Sequence, residues 1–596
     1  MSDQKVLVLG DDTRSFLAIA RSLGRRGISI HAAPSNFRSP ALRSRYIAAV
    51  HDLPPWMGEG EEWLHATAAL LRAEQYSLVI PCNEGTLLPL QRYRVILSQL
   101  TCLAIPDNRA ISVLFDKHET RELARQVGVR IARGLLARPD LTPEDVITGL
   151  GLPIVVKPRW SYSLDKLAVR SKVHVIDKPA TLRSYLAQCS SDDLLEKYFP
   201  GRGIGVSVLA SNGRLLQAFE HHRVREIAGA SFYRCSAPLT SDLLQACEAM
   251  MISLTYTGIA MFEFKQNIAG EWILLEVNAR PWGSMPLPLA LGVDFPYRWY
   301  RLLVAGEESP EKRYRTGVYG RNLIPDLQNS RIEAEVMQLG PVATAWFMTK
   351  RLAELSRFLT RREVHDVLVR DDPLPALVEV FELASTVLRR MVGLIPGNGA
   401  RRRRRARRRV NRLQSHGTDG LRIVFVCLGN ICRSPFAEAL LRDRLRDFAI
   451  GVKSCGMLPH PGRPTPVLGI EAAAEHGIDL SQHRSVWLTR QLAETATLLV
   501  VFDVATRDAV LDRYSDVKAP VICLGDLAGI GDVSDPVDGG PVEFRRCYTE
   551  IAAAIAELAR LIRAFPRHGC DVLPVRGSIH RGSRASRSSS VKHGDP

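Results

Sequence analysis

Two periods of apolar spacing alternate along the chain, and each change of period marks an element. Near the N-terminus KVLVLG (5–10) is a short apolar run of strand length, SFLAIARSLGRRG follows with apolar residues at helical spacing, and ISIHAAP returns to a strand. YSLVIPCNEGTLLPL repeats strand then helix. This alternation predicts a doubly wound α/β start. The loop after the first strand, GDDTRS, has no G-x-G-x-x-G, so no dinucleotide site is read there.

From about residue 110 the pattern changes. FDKHETRELARQVGV is expected as a helix, and GLPIVVKPRWSYS as a strand ending at Lys157. DLLEKYFPGRGIGVSVLA gives a strand ending near Glu196, a glycine-bearing turn and a second strand. IAMFEFKQN and EWILLEVNARPWGS read as adjacent strands, and alternation puts Glu276 and Asn278 on one face, with Glu263 on the neighbour. Hard oxygen donors on one face suit Mg²⁺ bound together with substrate phosphates. Residues 330–395 have helical spacing and are expected as a helical lid on what precedes them or as an interfacial amphipathic element. Further on, LRIVFVC is a strand, and Pro435 opens FAEALLRDRLRDF at helical spacing.

With 596 residues, 46% hydrophobic and 24% charged, the chain holds several cores of ordinary globular composition. Eleven cysteines without a repeating spacing argue for a reducing compartment and against a disulfide framework. MSDQKVLVLGDD has no signal-peptide pattern and no run of about 18 apolar residues exists, so a cytoplasmic protein without a transmembrane segment is expected. The net charge of +16 owes nine of its arginines to RRRRRARRRVNR (401–412). The plainer reading is a solvated linker; the sharper one is a tether to an anionic surface (lipid, polyphosphate or nucleic acid) through 401–409.

The two cysteines of CLGNICRSP (427–435) raise three readings: a metal site, a disulfide, or a nucleophile in a phosphate cradle. Strand, tight loop and helix favour the third, because successive backbone N–H groups and a helix N-terminus converge on one point. Arg433 adds a planar fork matched to phosphate oxygens. Cys427 in that field is expected as a thiolate nucleophile for phosphoryl transfer. The leaving oxygen needs a general acid, and Asp535 in GDVSDPVDGG is the candidate.

VCLGNICRSP with a late Asp-Pro resembles the low-molecular-weight protein tyrosine phosphatases, over about 421–566. The resemblance implies that Cys427 forms a phosphocysteine, Arg433 binds phosphate, Asn430 holds the loop, Ser434 stabilises the thiolate and Asp535 protonates the leaving group. It also implies that Cys432 guards Cys427 as a reversible disulfide; simple loop packing is the other reading of Cys432. DPVDGG and GMLPHPGRP lack the aromatics often found there in the family, which leaves phosphotyrosine protein against small phosphomonoester open. An arsenate reductase-like domain is the lesser alternative, since no cysteine lies between Cys455 and Cys523.

The ordered series Lys117, Lys157, Glu196, Glu263, then Glu276-x-Asn278-x-Arg280 resembles the ATP-grasp ligases of the carbamoyl-phosphate-synthase-like branch, over about 1–305. The resemblance implies that Lys117 and Lys157 contact ATP phosphates, Glu196 begins the adenine hinge, and Glu263, Glu276 and Asn278 hold Mg²⁺, or Mn²⁺ in its place. Arg280 would steady the transferred phosphoryl group or the acyl-phosphate. The loop after Lys157, RWSYSLDKLAVR, is not glycine-rich, unlike the loop that usually closes over the phosphates. His222, Arg223 and Arg225 are candidates to meet an acidic substrate, or form an ordinary charged strand face.

The expected order is a pre-ATP-grasp α/β domain (1–110), an ATP-grasp domain (111–310), a helical connector (311–400), an arginine-rich linker (401–420), a small parallel-sheet α/β phosphatase domain (421–566) and a disordered tail (567–596). The expected function is bifunctional: ATP- and Mg²⁺-dependent ligation of a small carboxylate to an amine through an acyl-phosphate, and phosphomonoester hydrolysis through a phosphocysteine. The rival reading makes the ATP-grasp unit a nucleotide sensor.

Overall fold

The computed structural model describes residues 4–566 except 139, 165–166, 168–172, 187–191, 228–229, 309–311, 338–339, 355, 394–397, 419, 459–460, 515 and 538. The tail expected to be disordered lies outside the described residues. The chain divides into two compact units, Met1–Asn398 with Leu458–Pro461 and Gly399–Met457 with Gly462–Pro596, described in turn. Among the described residues no helix is long and apolar enough to cross a membrane.

The first unit opens with a five-stranded parallel sheet. Its first strand, Lys5–Leu9, sits in the middle, flanked by Ser29–Ala33 on one side and Leu78–Pro81 on the other. Chain order reverses about that central strand, so the loops leaving Leu9 and Pro81 frame a crevice at the carboxyl ends of the strands. The helix Ser15–Gly24 is buried nearly all round, through Phe16, Leu17, Ile19 and Leu23 among others.

A small antiparallel sheet and a large mixed one follow, the large one antiparallel except for its last pair of strands. The small one is built from Gly134–Leu136, Leu194–Lys197, Ile154–Lys157 and His174–Ile176, in that spatial order. In the seven-stranded one, Gly258–Gln266 lies between Arg202–Ser211 and Trp272–Asn278. The large sheet continues through Arg214–Ile227 and Ala230–Ala237 to two strands the sequence did not suggest, Tyr319–Arg321 and Glu363–His365. The purely helical connector expected over 311–400 is therefore corrected: part of it completes this sheet, while Leu323–Val336 and Pro341–Ala353 cross between the two added strands. Each added strand has three residues, too few for a period, and its charges are buried because they pair. Arg321 Nε donates to Glu363 Oε1 at 2.7 Å and Arg234 Nη2 to Asp366 Oδ1 at 2.5 Å, all four side chains being fully buried. Arg21 Nε reaches Asp372 Oδ2 at 2.9 Å, tying the segment to the first helix.

The second unit has a four-stranded parallel sheet, ordered Gly451–Gly456, Arg422–Cys427, Leu498–Val501, Val521–Cys523. Arg433–Arg444 and Pro541–Arg563 contribute to the core on one face; the latter buries Phe544, Tyr548, Ile551, Ile555, Leu558 and Ile562 at helical spacing. Arg490–Thr495 and Val504–Arg513 contribute to the other.

The arginine run is not a solvated linker. It is helical, Asn398–Asn411, and Ala406 and Val410, with Leu413 beyond, are buried in the core of the second unit. Arg403 donates to the Ala528 carbonyl, Arg409 Nη1 to the Val521 carbonyl at 2.9 Å, and Arg407 Nε pairs with Glu557 Oε1 at 2.8 Å. The signal was Ala406, Val410 and Leu413 at i, i+4 and i+7, a three-residue apolar stripe hidden among arginines.

Candidate active sites

In the first unit, a cleft of about 520 Å³ is lined from the small sheet by Lys157, Glu196 and Tyr198, and from the large one by Arg223, Glu263, Glu276 and Asn278. Asp12, Arg14 and Asn83, from the crevice of the parallel sheet, line it as well. Strand pairing puts Glu263 directly opposite Glu276 and Met261 opposite Asn278, with a bulge after Glu263. Asn278 Nδ2 lies 3.2 Å from an oxygen of each glutamate. Like charges directly opposite one another destabilise a strand pair, so the arrangement calls for a cation. Part of the answer is Arg223, whose Nη2 is 2.5 Å from Glu263 Oε2. The oxygen-rich donor set fits a hard divalent ion.

Arg280 Nη2 donates to Asn278 Oδ1 at 2.8 Å and to Glu84 Oε1 at 3.1 Å. Burial opposes its charge, but Glu84 and Glu276 outweigh burial and raise the Arg280 pKa. Glu84, at the start of the helix Glu84–Arg92, was missed in the sequence because it comes from the preceding sheet. Lys117 Nζ donates to Ser161 Oγ at 2.9 Å, and Lys157 Nζ pairs with Glu196 Oε2 at 2.6 Å. Glu196 also holds Arg121, another residue not singled out. The Glu196 side chain is thus engaged by two cations, and Lys197, Tyr198 and Phe199 continue the cleft wall beyond it.

The three candidates of FEHHRVRE separate. Arg223 faces the cleft, whereas Arg225 Nη2 pairs with Asp326 Oδ2 at 2.7 Å and its Nη1 with Glu354 Oε2 at 2.9 Å. His222 Nε2 is 3.0 Å from Glu220 Oε1. The strand is irregular between Arg223 and Glu226, which breaks the alternation that would have aligned Arg223 and Arg225. Much of the loop after Lys157 lies outside the described residues.

In the second unit, the strand Arg422–Cys427 ends at a buried Cys427, and the helix Arg433–Arg444 begins six residues later. Cys427 Sγ accepts from the Asn430 N–H at 3.1 Å and is 3.0 Å from Ser434 Oγ. Asn430 has a left-handed backbone, φ 51°, which asparagine tolerates better than most residues. Its amide is fully used: Nδ2 donates to Ser434 Oγ and Ser454 Oγ at 2.9 Å each, and Oδ1 accepts from the Val486 N–H at 2.6 Å. Gly456 backs the loop so closely that a Cβ there would stand 3.0 Å from Asn430 N and Leu428 O.

Arg433 is held by two carboxylates, Nη1 to Asp503 Oδ2 at 2.7 Å and Nη2 to Asp535 Oδ2 at 2.6 Å. Its Nε is buried without a hydrogen-bond partner among the described residues, a donor available to an oxyanion. The Arg433 guanidinium is desolvated, but the charges of Cys427, Asp535 and Asp503 raise its pKa. Asp503 also caps the helix Val504–Arg513 through the Thr506 N–H at 2.6 Å; an acid just after the apolar run LLVVF was its only sequence signal. Cys432 is buried and its thiol pKa is pushed up by that burial, then by Asp535 and Cys427. Tyr548 donates to its carbonyl at 3.2 Å.

The five phosphatase candidates Cys427, Asn430, Arg433, Ser434 and Asp535 thus gather around one thiol, and Lys117, Lys157, Glu196, Glu263, Glu276, Asn278 and Arg280 around one region of the first unit.

Residues 422–566 match the family model described as low molecular weight phosphotyrosine protein phosphatase, and residues 190–320 match the one described as ATP-grasp in the biosynthetic pathway with Ter operon. The probable low molecular weight protein-tyrosine-phosphatase EpsP of Ralstonia nicotianae is 35% identical over 143 residues, 24% of this chain and 92% of that protein. A protein-arginine-phosphatase of Geobacillus stearothermophilus is 32% identical over 145 residues, 24% of this chain and 96% of that one. Among solved structures, N5-carboxyaminoimidazole synthetase from Staphylococcus aureus complexed with ADP is similar with a TM-score of 0.43 and 16% identity, over 56% of this chain and 86% of that one.

Proposed function

Through its C-terminal domain the chain belongs to the low-molecular-weight protein tyrosine phosphatases, and from that premise we propose a bifunctional enzyme that hydrolyses phosphomonoesters at Cys427 and ligates a carboxylate at the expense of ATP in its N-terminal unit. The phosphatase half rests on one observation, the Cys427 sulfur cradled by the Asn430 N–H and Ser434 beside a buried Arg433 whose Nε has no partner among the described residues.

In this reading the phosphate oxygens take the loop N–H groups and Arg433 Nε. Cys427 thiolate attacks phosphorus, the bond to the leaving oxygen breaks, and Asp535 gives that oxygen its proton. Water then attacks the phosphocysteine, Asp535 takes its proton, and inorganic phosphate leaves with the thiolate restored. Ser434 and Asn430 keep Sγ in place through both steps. Relatives named as tyrosine and as arginine phosphatases support a phosphorylated protein as substrate, with phosphotyrosine preferred because the match to the tyrosine enzymes is the stronger. Hydrolysis of a phosphotyrosyl peptide by the wild type and its loss in Cys427→Ser tests this; hydrolysis of only a phosphoarginyl peptide would overturn the tyrosine preference.

In the N-terminal unit Glu263, Glu276 and Asn278 would hold Mg²⁺, which when bound neutralises phosphate charge during transfer. Lys117 and Lys157 bind ATP phosphates, with Glu196, itself held by Arg121, fixing the Lys157 ammonium. Arg280, held by Glu84, stabilises the phosphoryl group as a substrate carboxylate attacks it and ADP departs. An amine then displaces phosphate from the acyl-phosphate. ADP release dependent on one carboxylate and one amine, lost in Glu276→Ala, supports ligation. ATP binding without turnover against every pool would favour the nucleotide sensor.

A further inference from the structure

Neither reaction uses the arginine helix, and its two faces differ. The inward face is committed to the phosphatase unit through Ala406, Val410, Arg403 and Arg407. On the outward face Arg401, Arg404, Arg405 and Arg408 are exposed and pair with no carboxylate among the described residues. Positions i, i+3, i+4 and i+7 share one side of a helix, and exposed Arg412 continues the line. At 1.5 Å per residue this stripe is about 16 Å long. Like charges at i, i+4 destabilise a helix, so the stripe costs stability unless an anion answers it.

Its position relates it to the phosphate cradle. Arg403 donates to the Ala528 carbonyl, and Arg402 Nη1 lies 3.8 Å from where a Cβ on Gly531 would stand. Four residues of chain from Gly531 reach Asp535, at most about 14 Å away. Asp535 in turn is 2.6 Å from Arg433. The helix that carries this row of guanidinium forks, each shaped for bidentate carboxylate recognition, is therefore packed through its other side against the segment that leads to Asp535.

We propose that the outward arginine stripe docks an acidic stretch of a phosphorylated polypeptide and presents its phosphorylated residue to Cys427. This rests on the phosphatase reading above and adds the substrate class. An extended peptide rises about 3.3 Å per residue, so the stripe takes about five acidic positions, starting within about eight residues of the phosphorylated one once about 14 Å of chain and a helix about 10–12 Å across are spanned.

The test uses the full-length protein, Arg401→Gln/Arg404→Gln/Arg405→Gln/Arg408→Gln, and three substrates: an aryl phosphate, a phosphotyrosyl peptide with five glutamates at that spacing, and its glutamine twin. The wild type should favour the acidic peptide at least tenfold in kcat/KM, with the preference shrinking as salt is raised. The quadruple variant should lose it through KM, with kcat and aryl-phosphate hydrolysis unchanged. The aryl phosphate separates the two claims: if the wild type does not hydrolyse it, the phosphatase reading fails and this one with it. Equal use of both peptides by an active wild type would overturn docking alone. So would a variant that loses binding to phosphatidylglycerol vesicles or to single-stranded DNA while keeping its KM for the acidic peptide. A variant that loses aryl-phosphate and peptide hydrolysis equally would reduce the stripe to a structural role.

Discussion

Glu263 and Glu276 stand directly opposite each other on adjacent antiparallel strands, each with an oxygen 3.2 Å from the same Asn278 amide nitrogen. Two facing carboxylates oppose folding and favour a divalent ion, so stability and ligand binding should separate on mutation. Glu276→Gln should raise the ligand-free stability of the N-terminal unit by about 0.5–1 kcal/mol. It should also abolish the increase in Tm that Mg²⁺ with ATP confers on the wild type. Thermal unfolding with and without Mg²⁺-ATP reads both effects.

Asp535 shares the Arg433 fork with Asp503. If Asp535 is the proton donor, its loss should be felt in proportion to the basicity of the leaving group. Asp535→Asn should reduce kcat by roughly 10²–10³ for a phosphotyrosyl peptide and by much less for a nitrophenyl phosphate. Steady-state kinetics across a series of substituted phenyl phosphates would show a steeper dependence in the variant.

Asn430 combines a left-handed backbone with an amide that satisfies Ser434, Ser454 and the Val486 N–H. Asn430→Ala should cost about 2–4 kcal/mol, from strained φ and from the buried Ser434 and Ser454 hydroxyls and the Val486 N–H losing their partner. Asn430→Gly should be about 1 kcal/mol milder because only the hydrogen bonds are lost. Denaturant unfolding followed by residual aryl-phosphate activity would rank the two. Gly456→Ala should lower kcat tenfold or more by pushing its Cβ into the loop backbone.

Val410 is fully buried on the inward face of the arginine helix. Val410→Asp in the full chain should destabilise the phosphatase unit by more than about 3 kcal/mol, because an unpaired charge enters a core. The N-terminal unit's Mg²⁺-ATP-dependent melting should be unchanged. Equal stability of wild type and variant would mean that the run is a free linker after all.

Stability of the N-terminal unit should carry a pH dependence from two carboxyls. Burial, with Asp12 nearby, raises Asp11 to about 6, and burial, with Glu382 and Asp366 nearby, raises Glu379 to about 7. Between about pH 4 and 7 the folded state then binds more protons than the unfolded one, so their contribution falls as pH rises. Asp11→Asn/Glu379→Gln should gain most over wild type at pH 8 and least at pH 4.5, measured as the difference in Tm.

The sequence carried the phosphate loop almost whole, because Cys427 to Ser434 is a local motif whose residues are brought together by one turn. It also carried Glu276, Asn278 and Arg280, which alternation on one strand aligns. It did not carry Arg223 against Glu263, Arg433 against Asp503, or Glu84 against Arg280. These partners lie 40, 70 and 196 residues apart and meet only through tertiary packing. The strands Tyr319–Arg321 and Glu363–His365 were invisible for a different reason: three residues cannot show a period, and their polar composition suggests surface. The arginine helix was misread because nine like charges outweighed the three apolar residues that dock it.

The two proposed reactions can be followed together. ³¹P NMR of the full-length protein with Mg²⁺, ATP, pooled carboxylates and amines, and an aryl phosphate resolves ADP formation from aryl-phosphate loss in one sample. The account predicts both signals for wild type, loss of only aryl-phosphate hydrolysis in Cys427→Ser, and loss of only ADP formation in Glu276→Ala. ADP formation that disappears in Cys427→Ser, or aryl-phosphate hydrolysis that survives it, would contradict the account.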